Sequence, residues 1–118
     1  MSANNYFLTR KKAHDLNEVT VAAAYTVKIG RASDGFKFDC VVNVTEPAAN
    51  MTVTVPDSGY EGQLLLINLT SNDDSKTVTI ADTTGGLEST MATAGQYQLS
   101  MWVNSTSGWV VLKESVTS

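Results

Sequence analysis

Few side chains in this sequence have catalytic potential, and they do not converge. A Ser-His-Asp or Cys-His device needs a histidine to carry the proton, and His14 is the only one. It stands in a polar leading stretch far from Cys40, the single cysteine, and reads as a solvated side chain. Cys40 lies in an alternating apolar pattern and reads as a small buried hydrophobe. The adjacent carboxylates Asp73 and Asp74 sit among Ser and Asn, where such side chains satisfy local backbone groups. A calcium site from Asn72, Asp73, Asp74 and Asp82 has suitable oxygen ligands, but the chain lacks the spaced Asp/Asn-Gly loop of calcium hands. Gly85-Gly86 has no Lys-Ser/Thr behind it and no strand-to-helix switch, so it is no phosphate cradle. No catalytic residue and no cofactor are expected.

Trp102 is the aromatic whose placement matters most. It shares the parity of Gln98 and Ser100, the polar side of its strand. An outward indole would serve as an interface anchor or a sugar platform. The rival expectation is a strand covered on both faces. Trp109 reads as core. The Asn-x-Ser/Thr matches at Asn43, Asn50, Asn68 and Asn104 are the chance yield of a chain rich in Thr and Ser. No apolar core follows the Arg10-Lys11-Lys12 cluster, so no secretory leader and no glycosylation are expected, and synthesis is expected in a cytoplasm.

The elements that must position these residues are strands. At 118 residues and 12.6 kDa the chain holds one core. Charged residues are 17%, below the usual level of about 25%, and Thr, Ser, Asn and Val replace them. Thr and Val lose rotamer freedom in helices and pack well in sheets. No apolar run approaches the roughly 20 residues that cross a bilayer. One cysteine makes no intrachain disulfide, and one thiol with one histidine makes no familiar zinc site.

Alternation marks the strands. Val19 to Ile29 reads as one run ending at Gly30, and Phe36 to Thr45 as the next. Met51–Val55 alternates cleanly. Gln63–Leu69 holds the unbroken Leu64-Leu65-Leu66-Ile67 and should be buried on both faces. Thr77–Ile80, Tyr97–Val103 and Trp109–Leu112 complete the set, with a short helical turn expected at Leu87–Thr93. The short connections from Met51 onward suit antiparallel neighbours. The expectation is all-β: a single antiparallel β-sandwich or barrel-like domain of about seven strands over residues 18–118, led by an extended N-terminal arm over residues 1–17.

Charge divides the chain. Residues 1–37 carry six basic and three acidic side chains, net +3, and residues 38–118 carry two and nine, net −7. An acidic body with a basic arm suits docking on an acidic protein surface. Three adjacent basic residues make few phosphate contacts, and the body repels a nucleic acid backbone. In the arm, Tyr6, Phe7 and Leu8 would fill apolar grooves, and Arg10, Lys11 and Lys12 would meet acidic groups.

The stretch Met51-Thr52-Val53-Thr54-Val55-Pro56, then Gly62 and Leu66-Ile67-Asn68, then Thr77-Val78-Thr79-Ile80, resembles small β-domains of tailed-phage virion proteins. The ending is similar as well: Ala94-Gly95-Gln96-Tyr97, Trp102, and Gly108-Trp109-Val110-Val111-Leu112. The resemblance covers about half the chain and includes capsid decoration (cement) proteins, head fibres and tail fibres. It implies a structural virion protein on the capsid surface, often a homotrimer, whose partner is the major capsid protein. The length and the basic arm suit the decoration subset, in which some members reach across capsomers with such an arm. A carbohydrate- or receptor-binding β-module of a fibre or virion surface, with surface glycans as partner, is the alternative. Neither reading involves nucleic acid or a membrane.

Overall fold

A computed structural model describes residues 15–83 and 88–116. Among them are nine strands: β1 Asp15–Val21, β2 Tyr25–Thr26, β3 Lys37–Thr45, β4 Met51–Val55, β5 Leu64–Ser71, β6 Val78–Asp82, β7 Glu88–Met91, β8 Tyr97–Trp102 and β9 Trp109–Ser115. The only helical element among the described residues is a 3-10 turn at Ala32–Asp34. The protein is β-rich, as expected, but its topology is not antiparallel throughout.

The strands form a five-stranded sheet, β1-β3-β5-β8-β9, and a four-stranded sheet, β2-β4-β6-β7. The chain alternates between them for its first six strands. β1, β3 and β5 are parallel neighbours in one sheet, and β2, β4 and β6 are parallel neighbours in the other. These are successive turns of a flattened coil. Residues stacked in adjacent turns lie 22 to 28 positions apart, as Asn43 and Asn68 do on one side and Asn50 and Thr77 on the other. The expected single antiparallel sandwich or barrel of about seven strands is thus replaced by two mixed sheets with nine strands among the described residues. Short connections suit antiparallel neighbours, but here they carry the chain across the core to the opposite sheet. The strand in that sheet serves as the crossover that parallel pairing requires. Only β7, β8 and β9 pair antiparallel, closing both sheets.

Three local expectations change with the topology. Val19–Ile29 is not one strand: it breaks at Ala22–Ala24, where the chain leaves the five-stranded sheet. Apolar residues on both sides of the break still face the core, which made the run look continuous. Asp15–Asn17, assigned to the arm, belong to β1. Residues 88–91 are strand rather than helical turn, paired with β6, and the rest of the long 81–95 stretch lies partly outside the described residues.

One core fills the space between the sheets. Val42, Val44, Leu65, Ile67 and Leu69 from one sheet meet Val53, Val55, Val78 and Ile80 from the other, all at most 1% exposed. β-branched residues dominate because they pack on a pleated surface at low entropic cost. At one end Trp102 and Trp109 meet edge to face, with centroids 5.6 Å apart. The backbone passes so close there that a Cβ on Gly59 would lie 2.8 Å from Trp102 Cγ. Trp102 also fixes this end through its backbone, accepting from Gly62 N–H and donating to the Gln63 carbonyl.

Candidate functional site

The polarity of β8 is the reverse of that of an ordinary surface strand. Its inward residues are Gln98, Ser100 and Trp102, all at most 5% exposed. Its outward residues are Tyr97, Leu99 and Met101. The buried polar pair is satisfied: Gln98 Nε2 donates to Ser89 Oγ at 2.7 Å and to Glu114 Oε2 at 3.3 Å, and Ser100 Oγ donates to Gln98 Oε1. Hydrogen-bonded amides and hydroxyls are tolerated in a core. Leu99 and Met101 are left on the outside.

Trp102 is thus not the outward anchor that one sequence reading expected. A strand presents alternate residues to opposite faces, so a one-residue choice decides all of them. Burying the largest apolar side chain, against Trp109, sets the choice for β8. Trp102 is therefore a core residue packed on Trp109. The arm residues and His14 lie outside the described residues.

Leu99 and Met101 belong to a larger face. The unbroken apolar run of β5 sends Leu65 and Ile67 into the core and Leu64 and Leu66 outward, with Leu64 48% exposed. The expected burial of β5 on both faces is thus realised on one face in a single chain. Val110 and Leu112 on β9 are 39% and 50% exposed. Backbone register aligns these residues in rows. Leu64 lies beside Met101 and Met101 beside Val110. The next row crosses all five strands: Glu18, Val41, Leu66, Leu99 and Lys113. The row beyond it is polar, with Asn43 Nδ2 donating to Glu18 Oε2 at 2.7 Å and Asn68 Nδ2 to Asn43 Oδ1 at 3.0 Å.

The residues of this face were not singled out from sequence. Two signals pointed to it: the unbroken Leu64–Ile67 run and the apolar parity Tyr97, Leu99, Met101. Each looks like core in the sequence because period alone does not say which side of a strand is inside.

Elsewhere the polar side chains do structural work. Asp39 is fully buried and accepts from Asn17 Nδ2 at 2.9 Å, Tyr25 Oη at 2.5 Å and Lys28 N–H at 2.8 Å. This carboxylate ties β1, β2 and β3 together. Burial, then the hydrogen bond to Asp39, hold the Tyr25 hydroxyl well above its ordinary pKa. Cys40 stands at the bulge between β1 and β3, its thiol directed to the Asn17 carbonyl. Asn72 spends its side chain on the backbone of Lys76 and Ala92, while Asp73 and Asp74 are exposed. Asp82 lies at the far end of β6 from them, which separates the proposed calcium ligands. Among the described residues no three His, Cys, Asp or Glu side chains converge as a metal site.

No protein-family model matches the chain, and no curated protein is significantly similar to it. The functional reading therefore rests on the chain's own chemistry. A shallow depression of about 300 Å³ among the described residues is lined by Asp57, Asp82, the 105–108 loop and Trp109.

Proposed function

We propose that this chain is a structural virion protein, a capsid decoration subunit. It binds the outside of a phage capsid through its N-terminal arm and stabilises contacts between neighbouring capsid proteins. The observation that carries the reading is the outward apolar face of the five-stranded sheet. Contiguous exposed apolar surface on a small domain marks a protein-binding region, and this one covers strands whose inward side is already a finished core. The sequence resemblance to small phage β-domains supports the same reading, as does the basic arm on an acidic body. In a homotrimer, three weak arm contacts would add by avidity, so modest single sites would hold the subunit on the shell.

The test is cosedimentation with capsids. β1 begins at Asp15, so removing residues 1–14 spares the folded strand, whereas removing 1–17 would cut into it. The shortened chain should keep its circular dichroism spectrum and lose capsid binding. Full occupancy by the shortened chain would show that the arm is not the anchor.

A second reading, a glycan- or receptor-binding surface, is favoured by the depression that Asp57 and Asp82 line together with Ser105, Thr106 and Ser107. Such groups suit sugar hydroxyls. Trp109 cannot offer a stacking platform there, since it is 6% exposed. A glycan array should show binding that Asp57→Ala removes. An array without hits rejects this reading and leaves the decoration reading intact.

A further inference from the structure

We propose that the outward face of the five-stranded sheet is covered by other copies of this same chain, in a closed ring whose rotation axis runs along the strands. The inference deepens the assembly reading of that face by naming its occupant.

The row Glu18, Val41, Leu66, Leu99, Lys113 argues for self-association. It runs from one edge strand to the other and reads acid, three apolar residues, base. A rotation about an axis along the strands keeps each residue at its own height. Two copies placed face to face therefore put β1 of one over β9 of the other. Three copies arranged as the sides of a prism put the β1 edge of each beside the β9 edge of the next. In both cases Glu18 of one copy comes to Lys113 of its neighbour at the same level, and Val41, Leu66 and Leu99 close on their counterparts. The pairing repeats at every interface, as a symmetric assembly requires. An unrelated partner would need the opposite charge at each edge and an apolar centre between them; a second copy supplies both by symmetry.

The size of the face also fits. Five strands about 4.8 Å apart, each about six residues long at roughly 3.3 Å per residue, give a face of roughly 500 Å² in projection. Side-chain relief makes the accessible area larger, near the roughly 800 Å² that each partner contributes to a standard interface. Covering it also buries the second side of Leu64-Leu65-Leu66-Ile67 and completes the burial that the sequence of β5 calls for.

Sedimentation equilibrium of the full chain tests this without capsids, so its outcome is separate from that of the capsid experiment. The wild-type chain should sediment as a dimer or trimer at micromolar concentration. Leu66→Glu places a carboxylate at the centre of the contact without touching the core, and should give a folded monomer. Lys113→Glu sets two carboxylates against each other and should weaken association at least about tenfold. Adding Glu18→Lys to Lys113→Glu re-creates the pair in reverse and should restore most of the loss, which a merely destabilised variant would not show. Should Leu66→Glu fail to fold, the two charge variants decide the question, because both sites are exposed. A wild-type chain that remains monomeric at high micromolar concentration overturns the proposal. So does an oligomer that neither substitution weakens.

Discussion

Replacing Trp109 by alanine should cost about 3–5 kcal/mol, the usual range for deleting a buried aromatic side chain. That is a large share of the roughly 5–15 kcal/mol that holds a domain of this size. Three contributions fail together. The indole fills the end of the core and is 6% exposed. Its edge-to-face contact with Trp102 adds to simple area burial. Its Nε1–H donates to the Pro56 carbonyl at 2.8 Å, linking the last strand to the loop after β4. Trp109→Phe separates these effects: it keeps much of the apolar volume but leaves the buried Pro56 carbonyl without its donor. That substitution should cost about 1–3 kcal/mol. Urea unfolding followed by circular dichroism measures both. A loss below about 1 kcal/mol for the alanine variant would mean that this end of the sandwich is not packed as described.

Asp39→Ala should be nearly as damaging, about 3 kcal/mol or more, because it orphans donors on three segments of the chain at once. Asn17, Tyr25 and Lys28 all donate to this one carboxylate. Asparagine should not rescue it fully, since one end of an amide is itself a donor and must face a donor. The same cluster sets an alkaline limit. The Tyr25 hydroxyl ionises in the folded chain only well above its ordinary value of 10.0, because of burial first and the hydrogen bond and negative charge of Asp39 next. Below that pH the tyrosine is neutral in both states and its contribution is fully present. Above it the unfolded chain releases the proton while the folded chain keeps it, so stability falls as pH rises. Tyr25→Phe should lower stability at neutral pH by about 1–2 kcal/mol and flatten the decline above pH 10. Urea midpoints across neutral and alkaline pH check both signs. An unchanged alkaline slope in Tyr25→Phe would assign the decline to other groups.

Composition and alternation are enough to assign the material of this protein. Alternating Val, Thr and Ile established a β-rich chain, because β-branched residues favour a pleated surface over a helix. The positions that became core in β3, β4, β5 and β6 followed the same period. One cysteine leaves the chain without an intrachain disulfide, so its fold rests on packing and hydrogen bonds alone. Parallel or antiparallel pairing was not legible, because a strand's own pattern is the same in either neighbourhood. Only the tertiary structure shows that β1, β3 and β5 stack as turns of a coil.

The side of β8 that is buried was likewise decided by tertiary structure. Gln98 and Ser100 look like a solvent face until Ser89 and Glu114 are seen to satisfy them. Leu99 and Met101 look like core until Trp102 takes the inward side. Alternation fixes which residues go together but leaves the sign of the alternation open. That sign is set by long-range packing of two tryptophans and by hydrogen bonds between strands distant in sequence. The acidic body and basic leading region are properties of the chain; the acid-to-base row across five strands exists only because folding brings Glu18 and Lys113 to opposite edges of one sheet.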